Sequence, residues 1–594
     1  MTSVHEHSDD MGPDKAGAAG HQYSHGLKLC AVTPRVSPFR PLSSVCKGAT
    51  HCCVTVRMRV IHGVSIRSRP ATQLNSWDAS EPGPVPHIRH PWYWSVQHAV
   101  RLAAALAGLA VIITYLVIAL SRLTYPFTVE WLESNSLVEV HRILSGQPLY
   151  PAPTAGYVPD GYPPLYFAMS AAAASVLGVS YLPLRLVSLL SSLACFALLG
   201  RLVQRETGSA AAGTAAAGVF AALYFATYTW FDVGRVDSLF LTLSIGGLYA
   251  ARWMRRTSGA IAAGALLAAA ALTKQTGIAE GVLVLAALAA GPRRRLTGVA
   301  ALTAVTVLGI STLVLGLSSG GWYVYYVFEL MSQHPLNHSG FGGFWTHILA
   351  AMGIAACAAL IGARRAPLVL LAGCGALAIG SYATLVHSGG DVNDLLPAYL
   401  AAALLAGLAM GDQRTWWVAA VSGLLVLAQS AWLLSGFHPA QAIPTGADRA
   451  AGERFTAGLR ALGGTVAIPG DPGLSLLAGM APAAAHEDAA YDVLRGSGLS
   501  AITGFTRSAE HAIATYQYSA IILDSQTPPQ GYEPWLSLYY RECPQPLLAG
   551  VPAAEFRPLA GVITSRPFSV WLPKGRGSCP ATVKILDGSG KEAP

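Results

Sequence analysis

Stretches of about twenty residues that are nearly free of charge recur along this chain, and they restrict its fold more than any other feature. Leu102–Leu120, Ala210–Trp230 and Leu296–Leu317 are three of them, each long enough to cross about 30 Å of hydrocarbon as a helix. In hydrocarbon every backbone amide and carbonyl must be satisfied within the chain, so such segments form helices. The composition agrees. Of the 594 residues, 53% are hydrophobic and 12% charged, about half the charged share of a soluble domain. The chain reads as a polytopic, all-α integral membrane protein.

The formal charge of +8 does not point to nucleic acid, because the basic residues lie in short clusters between apolar spans and not along one stripe. Counting spans from Leu102, the clusters Arg201–Arg205, Arg252–Arg256, Arg293–Arg295 and Arg364–Arg365, with a weaker one at Arg414, each follow an even-numbered span. Basic residues concentrate on the cytoplasmic side of membrane proteins, so the pattern places these loops inside. The expected spans cover 102–120, 184–202, 210–230, 236–253, 260–272, 278–290, 296–317, 344–361, 366–385, 395–410 and 416–434. Such a count of eleven, starting inside, puts the C-terminal end outside a cytoplasmic membrane. The apolar stretch Leu165–Leu177 would reverse this pattern if it crossed, and is read as an interfacial or re-entrant helix begun at Pro163-Pro164.

Three regions follow. Residues 1–95 lack a sustained period and a signal-peptide core, and read as a disordered cytoplasmic extension, with Met58 as an alternative start. Residues 96–435 form the membrane domain. Residues 436–594 return to turn-rich sequence with short apolar runs at Thr465–Ile468, Ala520–Leu523 and Phe568–Leu572 and a helical stretch near Leu474–Ala478, a small α/β domain outside the membrane. Its turn Gly470-Asp471-Pro472-Gly473 lacks the lysine and spacing of a phosphate loop. Cys543 and Cys579 fall in this exported segment, where an oxidising compartment allows them to pair. Cys30, Cys46, Cys52 and Cys53 sit in the N-terminal extension without a zinc spacing.

The chemistry concentrates at the outer ends of the spans. The long first outer loop carries Glu130, Glu133 and Glu139, then Gly146-Gln147-Pro148-Leu149-Tyr150 and Gly161-Tyr162-Pro163-Pro164-Leu165-Tyr166. A carboxylate just beyond the first span suits a general base as well as an exposed interfacial acid. Asp232, Arg235 and Asp237 stand near the third span; helical spacing lets Asp232 pair with Arg235, leaving Asp237 for function. Lys274-Gln275 lies in an outward break against the positive-inside pattern, suited to a lipid phosphate or to simple snorkelling. An aromatic loop with Trp322, Tyr323, His334 and His338, and a polar turn from His387 through Asp391 and Asn393 to Pro397, complete the outer face. The histidines match no metal-ligand pattern, and no metal or cofactor is expected.

Together these residues resemble the GT-C superfamily of membrane glycosyltransferases, in the branch similar to protein O-mannosyltransferases and lipid A aminoarabinose transferases. The likeness rests on the acid after the first span, Gly146–Tyr150, Tyr162–Tyr166, Arg185 at the head of the second span, Asp232–Asp237 and Lys274-Gln275, over roughly residues 100–435. It implies an outer-leaflet cavity in which a polyprenyl-phosphate-linked sugar meets a glycan, glycolipid or protein acceptor. It also implies that Glu130 or Glu133 is the base, Glu130 matching the family's first acid, whereas the family often has aspartate followed directly by glutamate. Lys274, Arg235 and Arg185 would attend the phosphate, with Asp232, Asp237, Tyr162, His387 and Asn393 as further substrate contacts, and a direct displacement would invert the anomeric carbon of a hexosyl or pentosyl group. A transporter or flippase of lipid-linked sugars is the alternative. Internal repeats, which many transporters have, are not visible here.

Overall fold

The computed structural model describes residues 92–524, 529–533, 535–543, 547–576 and 579. The expected N-terminal extension, with its four cysteines and Met58, lies outside the described residues but for its last few positions. Every expected span falls on a helix. α1 (Trp92–Leu123) is followed by α2 (Glu133–Leu144) and α3 (Leu165–Leu177), which lie in the first loop. Then come α4 (Tyr181–Thr207), α5 (Ala210–Ala226), α6 (Asp237–Trp253), α7 (Thr257–Ala271), α8 (Gly277–Ala289) and α9 (Arg294–Ser318). Helices His338–Ala363, Leu368–Leu385, Leu396–Met410 and Trp416–Ser435 close the membrane domain.

Among the described residues, seven helical stretches are long and apolar enough to cross a membrane: α1, α4, α9, His338–Ala363, Leu368–Leu385, Trp416–Ser435, and Val392–Met410, in which a 3-10 turn leads into helix Leu396–Met410. The expected spans at α5, α6, α7 and α8 form helices of 13 to 17 residues. The structure gives α3 only 13 residues, started by Pro164 at its N-cap.

Small residues decide how closely the helices approach. α1 and α5 cross where Gly108 faces Gly218, so tightly that a Cβ on Gly218 would lie 2.0 Å from the Gly108 Cα. α4 and α5 cross in the same way at Gly200 and Gly213. Between helices already surrounded by lipid there is little hydrophobic force, and association depends on such close backbone packing. The outer face of α9 instead leaves Leu302, Val305, Leu313 and Leu317 exposed, as suits contact with acyl chains.

The C-terminal region builds a four-stranded sheet in the order β1-β2-β4-β3, with β1 (Val466–Ala467), β2 (Ala520–Leu523), β3 (Tyr540–Cys543) and β4 (Ser569–Pro573). β1 and β2 run parallel, and β4 is antiparallel to both β2 and β3. The three apolar runs read from the sequence became β1, β2 and β4. β3, a mixed Tyr-Arg-Glu-Cys segment, has no such run and was not anticipated. Helices Gly446–Leu462 and Leu499–Ala514 share core clusters with the strands, while helix Glu487–Arg495 packs its Ala489, Ala490 and Val493 against Leu499–Ala514 and the first loop. Cys543 and Cys579 are disulfide-bonded.

This region is docked firmly onto the first loop. The Thr128 hydroxyl donates to Asp471 Oδ2 at 2.6 Å, Gly473 N to Ser134 Oγ at 2.8 Å, and Ala485 N to the Ala155 carbonyl at 2.7 Å. The turn at Gly470–Gly473 therefore serves as a docking corner that starts helix Gly473–Leu477. Phe127 meets Phe556 edge to face, 5.2 Å between ring centres.

The tight crossing yields a paired test. Gly218→Leu is expected to abolish recovery of monodisperse protein in detergent, whereas Gly309→Leu, where an added Cβ meets open space, leaves it unchanged; size-exclusion profiles of the two variants check this.

Candidate functional site

The site begins with how the first loop is held. Arg185, at the start of α4, is 1% exposed and spends its whole guanidinium on fixed partners. Nε and Nη2 fork onto Glu133 at 3.0 and 2.7 Å, while Nη1 and Nη2 donate to the carbonyls of Arg122, Tyr125 and Phe127. Glu133 in turn accepts the backbone amides of Val129 (2.9 Å) and Gly234 (2.6 Å). Burial alone would raise the Glu133 carboxyl, but Arg185 and these amides hold it below the ordinary carboxylate range.

Glu133 and Arg185, both expected at the site, face each other inside the loop and are not among the residues lining the cavity described below. Asp232 does not form the pair with Arg235 that its spacing suggests. It pairs with Arg122, Oδ1 to Nη1 at 3.4 Å, and accepts the Tyr224 hydroxyl at 2.8 Å, leaving Arg235 unpaired with it. The segment between α5 and α6 is not helical at these positions, so the i,i+3 spacing does not bring the two together.

Glu130 has a different setting. It lines a cavity of 260 Å³ together with Asp160, Tyr162, Trp230, Arg235 and Lys274. Glu130 is 3% exposed; its Oε1 accepts from Leu132 N at 3.1 Å, and its Oε2 has no hydrogen-bond partner among the described residues, 3.9 Å from Arg235 Nε. Burial pushes its carboxyl up to about 8, against the opposing pull of Arg235. Asp160 presents a similar open oxygen: Oδ1 accepts from Asn135 at 2.7 Å, while Oδ2 lies 3.7 Å from Arg235 Nη1. Arg235 is thus held between two carboxylates, at ion-pair range from both and with Nε and Nη1 lacking hydrogen bonds. Its guanidinium also lies 5.5 Å from the ring centre of Tyr162 and 5.9 Å from that of Trp230.

A second cation stands on the same wall. Lys274, in the break between α7 and α8, donates to Asp237 Oδ1 at 3.0 Å and Asp394 Oδ1 at 2.9 Å. Asp237, which the sequence left free, is therefore taken: Lys274, the Trp230 indole (2.9 Å) and the Asn393 amide all donate to it. Gln275 Nε2 ties this break to the Gly161 carbonyl at 3.0 Å, beside Tyr162. His387, Asp391 and Asn393 line the cavity from the turn before helix Leu396–Met410, a turn closed by a capping box between Asp391 and Asp394.

The tail completes the enclosure. The amides of Leu559 and Ala560 both donate to the Val129 carbonyl, at 2.8 and 2.9 Å, and Gly561 N donates to the Tyr228 carbonyl. A strap thereby crosses the residue next to Glu130, and Val562 and Ile563 beyond it line the cavity. The crossing requires Gly561, whose φ is +79° and whose missing side chain leaves room for the Trp230 ring.

Sequence reading missed Asp160 and the charged residues that the tail contributes, Asp488, Asp492 and Arg495. Asp160 directly precedes the Gly161-Tyr162-Pro163-Pro164 motif, a signal of position alone. The other three recur at i, i+4 and i+7 on helix Glu487–Arg495, opposite buried Ala489, Ala490 and Val493; this period was available in the sequence.

Residues 161–317 match the dolichyl-phosphate-mannose-protein mannosyltransferase family. The match takes in Tyr162, Arg185, Asp232, Arg235, Asp237 and Lys274, and stops short of Glu130 and Glu133. No curated protein matches the chain. Among solved structures, ArnT from Cupriavidus metallidurans in the apo state is 13% identical with a TM-score of 0.50, over 70% of this chain and 92% of that one. The same protein bound to undecaprenyl phosphate gives 14%, 0.49, and the same coverage. The archaeal oligosaccharyltransferase AglB from Archaeoglobus fulgidus, in complex with an inhibitory peptide and a dolichol-phosphate, is 14% identical with a TM-score of 0.44, over 73% of this chain and 69% of that one. The likeness is one of fold: a membrane protein with the GT-C architecture and a small C-terminal sheet.

The two acids separate in a stability test. Glu133→Gln strands a buried guanidinium and is expected to cost about 3 to 5 kcal/mol, whereas Glu130→Gln stays within about 1 kcal/mol; thermal unfolding of the two purified variants reads the difference.

Proposed function

We propose that this chain, a membrane protein of the GT-C fold, is a glycosyltransferase that moves a sugar from a polyprenyl-phosphate donor to a hydroxyl of a glycan, glycolipid or protein acceptor, on the outer face of a cytoplasmic membrane. The observation that carries the reading is one cavity containing a carboxyl with an open oxygen, Glu130, beside two buried cations, Arg235 and Lys274. The match of residues 161–317 to a family named for a dolichyl-phosphate-linked donor supports the donor class.

In this mechanism Glu130 is the general base. Its Oε2 takes the proton from the acceptor hydroxyl as that oxygen attacks the anomeric carbon, and the bond to the lipid phosphate breaks on the opposite side. One displacement inverts the carbon. The departing phosphate gains negative charge, and Arg235 stabilises it with the donors Nε and Nη1, which have no hydrogen-bond partner among the described residues. Lys274 adds its charge from the same wall, oriented by Asp237 and Asp394. Tyr162 stands beside both cations and gives the sugar an aromatic face. Holding base, acceptor and donor in one buried space supplies the orientation that solution lacks.

The raised carboxyl of Glu130 fixes the pH dependence. A base must be ionised, and burial favours its protonated form, so transfer rises with pH through about 8 and is lost as pH falls below it. The test measures transfer of radiolabelled sugar from a panel of polyprenyl-phosphate sugars in membranes carrying the protein. Glu130→Gln is expected to lower the rate by about 10²- to 10⁴-fold and to remove the alkaline rise, and Lys274→Met to raise the KM for donor. Full activity of Glu130→Gln would remove it from the mechanism; donor movement between leaflets without transfer would favour a flippase.

A further inference from the structure

The proposed reaction needs a base and cations, yet the cavity holds more carboxylates than that chemistry uses. Asp394 is engaged by Lys274, and Glu130 and Asp160 share Arg235. On helix Glu487–Arg495 of the tail, Asp492 is bound by Arg495, whose other guanidinium nitrogen reaches Ser388 Oγ at 3.3 Å and so pins this helix to the turn before helix Leu396–Met410. Asp488, one turn earlier and also lining the cavity, receives no side-chain hydrogen bond from the described residues; burial raises its carboxyl, against the opposing pull of Arg495 and Arg235. Asp160 and Arg235, both more than nine-tenths buried, line the same cavity and carry polar atoms without a hydrogen-bond partner among the described residues.

Resting on the transferase reading, we infer that helix Glu487–Arg495 is the carbohydrate-selecting wall of the cavity, with Asp488 accepting hydrogen bonds from sugar hydroxyls and the carboxylates of that wall excluding sugars that carry a carboxylate themselves. An ionised carboxylate is an acceptor with about four lone-pair sites, matched to a pair of neighbouring hydroxyls. A second carboxylate brought against it in a buried space is repelled and loses its hydration. The anionic phosphate of a donor is offset instead by Arg235 and Lys274, which line the same cavity. Specificity is thus carried by the tail and the chemistry by the first loop and the membrane helices.

The experiment compares wild type, Asp488→Asn and Asp488→Arg, purified in detergent and checked for monodispersity, with polyprenyl-phosphate-linked neutral hexose, pentose and uronic acid donors at varied donor and acceptor concentrations. Wild type is expected to use neutral sugars and to discriminate against the uronic acid by about 100-fold, and Asp488→Asn to raise one KM by about tenfold with kcat within about twofold. A rise in donor KM assigns Asp488 to the transferred sugar, a rise in acceptor KM to the acceptor glycan. Asp488→Arg is expected to relieve the exclusion of the uronic acid. Unchanged KM values in Asp488→Asn, or equal use of the uronic acid by wild type, would overturn the assignment while leaving the transferase intact; no transfer by wild type from any donor would overturn both.

Discussion

Arg185 and Glu133 make the interaction on which the rest of the cavity's surroundings depends. A guanidinium buried without partners costs several kcal/mol, and here every donor has one, three of them carbonyls of the chain leaving α1. The pair therefore works as a clamp on the backbone of residues 122–133, and Glu133 extends it to Gly234 before α6. Glu130 sits three residues from this clamp and inherits its rigidity. One glutamate is spent on holding still so that the other can be placed.

The same division runs through the remaining charges. Asp232 and Arg122 join the ends of α1 and α5, and Asp237 orients Lys274. Arg235 differs because it is balanced between Glu130 and Asp160 at distances too long for hydrogen bonds to either. A cation so held keeps its charge while spending Nη2 alone, on the Tyr162 hydroxyl, among the described residues, which suits a site for a transient anion.

The spans were legible because hydrocarbon imposes a length and a composition that any sequence window reveals. Glu130 stood out through its place a few residues beyond α1, and it lines the cavity. Roles within the charged set were not legible. Asp232 and Arg235 have the right spacing for a pair, but the chain between α5 and α6 turns twice in the left-handed region, at Tyr228 and Thr229, and sends them to different neighbours. Arg185 and Glu133 lie 52 positions apart and nothing local announces their contact. The tail's part was missed for a similar reason: helix Glu487–Arg495 has a readable polar face, but only tertiary packing says that this face meets a cavity and not water.

The strap at Leu559–Ile563 has a consequence in time. Ribosomes deliver a chain from its N-terminus, and the membrane helices can assemble while the tail is still unmade. The wall beside Glu130 closes only when residues 559–561 arrive and bond to Val129 and Tyr228, more than four hundred positions after the acid itself was synthesised. A nascent or prematurely ended chain therefore carries its reactive groups in an unfinished vessel. The enclosure is finished late, by a segment made long after the acid it covers.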